Sequence, residues 1–336
     1  MPAADAAQDK TQADRLRAIL PGVPVVESPF FEEIAPFCDF DAETARIGKE
    51  LNEKGFAVLR FPDEEFDARA ERIKQNLTSR FDIAGWRGKG WKENNGLRIQ
   101  DAWSFDADVR ALAVNARVLE ILQNLYGRKP WPFQTLNFPV GTQQHYHSDS
   151  VHFSSIPERF MCGVWIALED VGEDAGPLEY YPGSHKWPII YNDQVGVRVT
   201  GSDRQPSQIV YHGVWEAMVK KAGIVPHRFS PRKGEALIWA ANLLHGGSPQ
   251  RDPNATRWSQ VTHYFFEDCC YLAPMLSDVL IGKLQLRHLV NIATGELVPN
   301  VYVGAPLSKL GAAFQIEELM SPLRRAVGRV IRKFQH

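Results

Sequence analysis

The first third of the chain carries apolar residues at the spacing of amphipathic helices. In the segment from residue 39 to residue 55, an aspartate can cap the first turn, and a glycine stands where a left-handed residue ends a helix. The run 56–60 predicts a buried strand because it is almost wholly apolar. Apolar stripes on a single face predict two more helices, over 64–81 and 115–127.

From Pro130 onward the pattern changes to short apolar or alternating runs that glycine and proline separate. The runs that predict strands are 132–138, 160–170, 177–181, 235–241 and 258–266. Several short strands divided by turns are typical of an antiparallel sandwich or barrel, the jelly-roll type included. No internal repeat is evident. We therefore expect one mainly β domain with flanking helices packed on it.

Segments outside the predicted sheet set the domain limits. Residues 1–13 are small and polar, and we expect them to be disordered. The single domain then covers 14–318, and within it the aromatic-rich insertion 186–233 could cover a site as a lid. Residues 319–336 predict a basic amphipathic helix, which could close the sheet, contact a second copy of the chain or lie on an anionic membrane surface.

Composition narrows the class of protein. The 336 residues include 38 basic and 40 acidic side chains, so the net charge of −2 gives no general attraction to nucleic acid. No glycine-rich phosphate-binding motif is present. The four cysteines form no CxxC pair and are expected to be reduced thiols. With no run of 18 apolar residues, we expect a cytoplasmic protein, with peripheral membrane contact only through its basic tail.

The stretch QQHYHSDSVHF, residues 143–153, carries the first candidate chemistry. On a strand, His145, His147 and Asp149 would point to one face because side chains alternate. A His-x-Asp pair offers a nitrogen and a carboxylate oxygen, and one imidazole from elsewhere would complete a set of two histidines and one carboxylate. That set suits non-haem Fe(II), since it leaves positions open for substrates and dioxygen. Zinc more often takes four protein ligands, or three and a water.

A second segment supplies the missing imidazole. His245 follows an apolar strand, and Gly246 and Gly247 after it allow close approach of another backbone. Arg257 stands twelve residues further on, at the head of the next predicted strand, where its guanidinium could bind a carboxylate in a bidentate manner. This constellation is much rarer than an isolated His-x-Asp pair.

Four segments together resemble the phytanoyl-CoA dioxygenase family of Fe(II)- and 2-oxoglutarate-dependent oxygenases. They are HSD at 147–149, WIALEDVGEDAGPLEYYPGSHKWP at 165–188, GEALIWAANLLHGGS at 234–248, and Arg257. The resemblance spans roughly residues 40 to 268. It implies a double-stranded β-helix, a jelly-roll or cupin-like fold, with iron at one mouth. It also implies that His147, Asp149 and His245 are the iron ligands.

The resemblance further implies how the co-substrate is held. Arg257 would bind the distal carboxylate of 2-oxoglutarate while the keto acid end reaches the metal. Trp165 matches an aromatic residue that lines the co-substrate pocket, and Asn137 resembles an amide that contacts the co-substrate in ectoine hydroxylase. The hydroxyl residue that often assists the arginine is replaced here by Gly247, with Ser248 next to it.

The remaining histidines are expected to have structural roles. His145 shares the predicted face of the metal ligands and could contact them or simply pack. His152 falls on the opposite face if the strand continues, and His185 is expected to order its own turn. His263 reads as an ordinary strand residue.

The implied reaction converts 2-oxoglutarate to succinate and carbon dioxide and hydroxylates an aliphatic C–H bond of a small-molecule or lipid-like metabolite with dioxygen. Asp149 favours hydroxylation over halogenation, because related halogenases carry a small residue in that place. Three alternatives remain: a cupin-type metalloenzyme with no need of Arg257, a non-catalytic metal-binding member of the fold, and a peripheral membrane protein governed by residues 319–336.

Overall fold

The computed structural model describes residues 3–91, 97–199 and 207–307. The α-helices are α1 Ala3–Ile19, α2 Phe31–Ile34, α3 Ala42–Lys54, α4 Phe66–Thr78, α5 Ile83–Gly88, α6 Ala107–Ala113, α7 Ala116–Tyr126 and α8 Ile209–Ala222. Short 3-10 helices lie at Val25–Glu27, Ala35–Phe37, Ala102–Ser104, Asp149–Val151, Glu173–Ala175, Ser184–Lys186, Pro274–Leu276 and Val279–Ile281.

The strands are β1 Phe56–Arg60, β2 Ile99–Gln100, β3 Pro130–Phe138, β4 Ser154–Ile156, β5 Met161–Ala167, β6 Leu178–Tyr180, β7 His227–Phe229, β8 Glu235–Ala240, β9 His245–Gly247, β10 Ser259–Phe266, β11 Cys270–Leu272, β12 Val301–Tyr302 and β13 Ala305–Pro306. Six of them form a major sheet in the order β1-β8-β5-β10-β3-β2, with antiparallel neighbours throughout. A minor sheet has the order β7-β6-β9, and two-stranded pairs join β11 to β4 and β12 to β13.

The N-terminal helices begin and end where local sequence signals place them. Asp41 accepts a hydrogen bond from the backbone N–H of Thr44 at 2.9 Å, which caps the start of α3, and Gly55 ends that helix with a φ of 87°. Asn115 caps α7 in the same way through the N–H of Val118, at 3.0 Å. The predictions for α3, α4, α7 and β1 are confirmed, with the ends of α4 drawn in by two or three residues.

The prediction of disorder over residues 1–13 is not what the structure gives. Helix α1 covers Ala3–Ile19. Alanine has the highest intrinsic helix propensity, and four alanines stand among the first seven residues. Ala13 is buried and Leu16 packs on the main core, so the helix has an apolar anchor that composition alone does not reveal. The predicted helix at 319–336 lies outside the described residues.

The major sheet separates two apolar layers. Along β8, Ala236 and Ile238 face the helices on the outer side, while Leu237 and Trp239 face the minor sheet on the inner side. β5 is buried along its whole length because both of its faces are covered. Two facing antiparallel sheets with helices on the outer face form the predicted mainly β jelly roll, and this fold class is confirmed.

The described parts of the insertion at 186–233 lie against the minor-sheet end of the barrel. Its helix α8 directs Tyr211 and Trp215 into an apolar cluster with Val151, Tyr181 and Leu244. This contact places the insertion beside the segment that carries the candidate metal ligands. Among the described residues, no helix has the length and apolar character that crossing a membrane requires.

Candidate metal centre

The two segments that carry the candidate ligands meet through their backbones. His147 N donates to His245 O at 2.9 Å, and His245 N donates to His147 O at 3.0 Å. Two glycines permit this approach. A Cβ on Gly246 would lie 2.7 Å from Gln144 O, and one on Gly247 would lie 2.6 Å from Gln143 N. The predicted role of these glycines, close backbone approach, agrees with this geometry.

The predicted strand through His145, His147 and Asp149 does not form. Only His147 is in a bridge, and Asp149 opens the 3-10 helix Asp149–Val151. The turn, rather than strand alternation, brings Asp149 back beside His147. His145 points away from His147 and Asp149. Its Nε2 lies 2.9 Å from Glu216 Oε1, and its ring stacks on His212. The expectation that His145 shares the ligand face is therefore wrong.

His147, Asp149 and His245 bring their ligand atoms together. His147 Nε2 lies 3.9 Å from Asp149 Oδ1, and His245 Nε2 lies 3.8 Å from Asp149 Oδ2. One ligand atom from each residue falls within 4.8 Å of the other two, and all three residues are buried. A single ion placed among these atoms could contact all of them.

The backbone fixes which nitrogen of each imidazole faces the cluster. His147 Nδ1 lies 3.0 Å from His145 O, and His245 Nδ1 lies 3.0 Å from Leu243 O. A carbonyl oxygen can only accept, so each Nδ1 carries the proton and donates it. Each Nε2 then keeps its lone pair directed at Asp149, which is the arrangement a metal-binding histidine needs.

A buried tryptophan orients the carboxylate. Trp239 Nε1 donates to Asp149 Oδ2 at 2.9 Å. Space for the indole depends on Gly163 of the neighbouring strand, because a Cβ there would lie 2.1 Å from the Trp239 ring. The sequence alone predicts no role at the site for either residue. Their signal is weak, since register between β5 and β8 is needed to bring them together.

The protonation states of the cluster suit a cation. Burial and the neighbouring His245 lower the pKa of His147 to about 3, so its imidazole is neutral at physiological pH. Burial alone would raise the pKa of Asp149, but the surrounding imidazoles, His245 first, and the indole N–H outweigh it, and the pKa falls to about 2. Neutral imidazoles and an ionised carboxylate are the forms that bind a metal. The chemistry of His147, Asp149 and His245 therefore fits a bound metal ion.

His263, for which the sequence predicts only an ordinary strand position, is a further imidazole beside the cluster. His263 Nε2 lies 3.7 Å from Asp149 Oδ2, and its Nδ1 bonds Gln134 Oε1 at 3.0 Å. Burial lowers the pKa of His263 to about 4. His152, which was predicted to face away, also lines the cavity and bonds Gln208 Oε1 through Nε2 at 3.0 Å.

The cluster lies at the wall of a cavity of about 470 Å³ between the two sheets, a size usual for small-molecule sites. Arg257 and Trp165 line the same cavity. Arg257 is 1% exposed; its Nη1 donates to Gly176 O at 2.8 Å, and its Nε has no hydrogen-bond partner in the described part of the chain. Burial lowers the pKa of Arg257 to about 10, which still leaves it a cation near neutrality.

The placement of Asn137 corrects the prediction made for it. On β3, Gln134, Leu136 and Phe138 line the cavity, while Asn137 points to the opposite face. There its Nδ2 donates to Gln260 Oε1 at 3.3 Å, between the sheet and α6. Strand alternation thus removes this amide from the co-substrate pocket.

The chain is similar in sequence to one protein family and to a curated member of it. The sequence model of the family described as Phytanoyl-CoA dioxygenase (PhyH) matches residues 51–257. The Phytanoyl-CoA dioxygenase domain-containing protein 1 homolog of Caenorhabditis briggsae is 26% identical over 99 residues, which are 28% of this chain and 33% of that protein. The match thus spans about a third of the length of this curated relative.

Two solved structures share the architecture. The non-haem α-ketoglutarate-dependent epimerase SnoN from nogalamycin biosynthesis superposes with a TM-score of 0.50 at 16% identity, over 71% of this chain and 88% of that one. The carbocyclase SnoK from the same biosynthesis gives a TM-score of 0.50 at 17% identity, over 77% of this chain and 97% of that one. At these identities the likeness shows a common fold.

Proposed function

This chain belongs to the phytanoyl-CoA dioxygenase family, and on that premise we propose that it hydroxylates an aliphatic C–H bond of a small-molecule or lipid-like metabolite. Family membership and the His-Asp-His cluster support the coarser statement that it is an enzyme, an iron- and 2-oxoglutarate-dependent dioxygenase. Succinate and carbon dioxide are the products formed from the co-substrate. The finer choice of hydroxylation is our proposal.

One observation supports the proposal above the others. Two imidazoles and a carboxylate meet at the wall of a cavity that the buried guanidinium of Arg257 also lines. A metal site without a keto acid co-substrate has no use for a guanidinium buried at such cost, whereas a dicarboxylate that reaches the metal needs one. This pairing favours a 2-oxoglutarate-dependent oxygenase over a cupin-type metalloenzyme or a non-catalytic metal-binding protein.

In this mechanism His147, Asp149 and His245 would hold Fe(II). When bound there, the iron supplies dioxygen activation coupled to decarboxylation of the keto acid. Arg257 binds the distal carboxylate of 2-oxoglutarate, and its Nε and free Nη protons are available because Gly176 O engages one nitrogen only. Trp165 lines the same cavity, and its ring centre lies 5.9 Å from the Arg257 guanidinium, so it would lie beside the co-substrate.

The carboxylate at position 149 also supports the outcome of the reaction. Halogenases of this type carry a small residue there, which leaves room for a halide on the metal. Asp149 is buried, accepts from Trp239 and lies near both imidazoles, so its carboxylate occupies the place that a small residue would leave open. Hydroxylation of the substrate, rather than halogenation, is therefore the expected outcome.

The test is an anaerobic titration of Fe(II) and 2-oxoglutarate, followed by succinate detection across a substrate panel after oxygen is admitted. We expect His147→Ala and Asp149→Ala to abolish coupled succinate formation while both proteins stay folded. His227→Ala is the matched control, since His227 is exposed on β7 and should leave turnover unchanged. Retained turnover in either ligand variant would overturn the proposal.

A second arm separates the competing enzyme class. Arg257→Gln keeps a hydrogen-bonding side chain but removes the charge. If the keto acid is the co-substrate, this variant should bind Fe(II) normally and bind 2-oxoglutarate at least tenfold more weakly. Undiminished turnover in Arg257→Gln would favour a cupin-type reaction without 2-oxoglutarate.

We also propose that residues 319–336 make the contact with an anionic membrane surface or a second copy of the chain that their pattern predicts. This segment lies outside the described residues, so its basic amphipathic sequence alone supports the proposal. Deletion of 319–336, with liposome flotation and a mass measurement in solution, tests it. Unchanged liposome binding and an unchanged number of chains per particle would refute both forms of contact.

A further inference from the structure

The cavity holds more positive charge than the proposed chemistry uses. Three arginines line it, Arg98, Arg257 and Arg287, whereas Asp149 is the one carboxylate among its described lining residues. In the proposed complex, the charges of Fe(II) and Arg257 are balanced by Asp149 and the two carboxylates of 2-oxoglutarate. Arg98 and Arg287 then remain without a counter-charge in the lining that the structure describes.

Arg287 is held in place as part of the cavity wall. Its backbone N donates to Tyr271 O at 2.7 Å, and Asn300 Nδ2 donates to its carbonyl at 3.1 Å. Its guanidinium lies over the ring of Phe153, 4.5 Å from the ring centre. Its Nε is buried and has no hydrogen-bond partner in the described part of the chain. A buried donor without a partner costs free energy, which an anionic ligand would recover.

The position of Arg287 places an anion close to the metal cluster. The Phe153 ring that supports it lies 5.1 Å from the ring of His263, and His263 Nε2 lies 3.7 Å from Asp149. Arg98 is exposed at the rim of the same cavity. Both guanidiniums line this cavity together with His152 and Phe153. The two arginines therefore belong to the wall of one cavity.

Arg287 also lies beyond residue 257, where the family match ends. The metal ligands and Arg257 belong to the shared part of the chain, while Arg287 comes from the segment that follows β11. A substrate contact from such a segment would differ between relatives that share the chemistry.

We propose that Arg287, assisted by Arg98, binds an anionic group of the substrate, so that the substrate is a small organic carboxylate or phosphate ester. This inference rests on the proposed function and names the substrate class for the same site. The guanidinium offers several N–H donors in one plane, which suits either oxyanion. The anion would orient the substrate with its aliphatic part toward the metal cluster.

The experiment measures binding to the full chain loaded anaerobically with Fe(II) and 2-oxoglutarate. The probes share one alkyl chain and differ in the head group: hexanoate, hexyl phosphate, hexanol and hexylamine. By calorimetry, we expect hexanoate or hexyl phosphate to bind at least tenfold more tightly than hexanol, and the two anions distinguish a carboxylate from a phosphate site. Equal binding of anions and alcohol, or no binding of either anion, would overturn the proposal.

Variants separate a ligand contact from a structural role. Arg287→Gln should weaken binding of the preferred anion at least tenfold, and Arg287→Lys should recover part of it. Arg80→Gln is the control, since Arg80 lies over the Phe105 ring at 4.2 Å on the exposed surface, and its loss should change nothing. Anion binding that survives in Arg287→Gln would refute the assignment.

A parallel titration keeps this inference distinct from the proposed function. Affinity for 2-oxoglutarate, read from its charge-transfer absorbance with Fe(II), should stay within twofold in Arg287→Gln and fall in Arg257→Gln. If 2-oxoglutarate fails to bind the wild-type protein, the proposed function is wrong. If 2-oxoglutarate binds but anion selectivity is absent, only the substrate class is wrong. Weaker 2-oxoglutarate binding in Arg287→Gln would make Arg287 a co-substrate residue and overturn the inference.

Discussion

The Trp239 indole makes a single polar contact that can be removed with little change in shape. Trp239→Phe deletes the N–H that donates to Asp149 Oδ2 at 2.9 Å and keeps an aromatic ring against β5. Asp149 is 3% exposed, so loss of this donor leaves a buried carboxylate oxygen without its hydrogen bond to the protein. We expect both the stability of the metal-free protein and its affinity for a divalent metal to fall.

The size of the effect follows from the kind of bond. A hydrogen bond to a charged group contributes about 1.5–3 kcal/mol. Since about 1.4 kcal/mol is a factor of ten, a loss of that size expressed in metal binding is roughly 10- to 100-fold. Removal of partners that orient metal ligands in other proteins has an effect of about the same size. The variant should therefore still bind metal, but much more weakly.

Anaerobic Fe(II) titration and urea unfolding of the metal-free protein measure the two effects. Trp131→Phe is the matched control: Trp131 is 1% exposed, and its Nε1 donates to the neutral hydroxyl of Tyr271 at 3.3 Å. The control should lose stability from the smaller ring and keep wild-type metal affinity. If Trp239→Phe and Trp131→Phe bind metal equally well, Trp239 only fills space, and its proposed part in orienting Asp149 is refuted.

Two further predictions concern buried positions. Gly163→Ala should cost about 1–3 kcal/mol of stability and weaken metal binding, because the new Cβ would lie 2.1 Å from the Trp239 ring. The control is Gly213→Ala, where a Cβ meets nothing within 4 Å, and it should lower neither stability nor metal affinity. Equal unfolding curves for the two variants would contradict the prediction. Burial lowers the pKa of His185 from 6.5 to about 4, so between these values the unfolded chain binds more protons than the folded one, and stability falls as pH falls. From pH 7 to pH 5 this group alone costs about 2 kcal/mol, and urea unfolding of metal-free His185→Gln should show a smaller pH dependence by that amount; an unchanged dependence would exclude His185 as its source.

Local signals were enough to predict α3, α4, α7, β1 and the longer strands of the major sheet. The Asp41 cap, the left-handed Gly55 and the apolar run after it determine α3 and β1 with little help from the rest of the chain. The apolar strand before His245 was likewise predicted, since a strand buried on both faces is recognisable as a continuous apolar run. These features depend on neighbours a few residues apart.

The relative placement of the site residues could be predicted only in part. That His147, Asp149 and His245 meet was expected from the family resemblance, but the strand assumed for residues 145–149 was wrong, because the bridge to His245 and a 3-10 turn set the direction of Asp149. The prediction that Asn137 contacts the co-substrate was wrong for a related reason. The inner face of β3 depends on its pairing with β10, which the local sequence pattern does not reveal.

His263 could have been found with one more step. If Arg257 faces the cavity, the alternation of side chains along the strand that follows places His263, six residues later, on the same face. Arg287 offered no comparable signal. It stands in an irregular segment after β11, and contacts with distant residues, among them the hydrogen bonds from Asn300 and to Tyr271, bring it to the cavity.

The two kinds of residue therefore differ in how the fold holds them. Arg257 lies two residues before β10 of the major sheet, where its backbone N donates to Pro139 O at 2.9 Å, and His245 lies on the minor sheet. Hydrogen-bonded neighbours allow little movement at both positions, so the geometry that the chemistry needs is preserved. Arg98, Gln208 and Arg287 come from short or irregular segments around the rim of the same cavity. Substitution in those segments can change what enters the cavity without disturbing the metal ligands. For this reason the charge of the rim, rather than the metal cluster, is where the identity of the substrate should be sought.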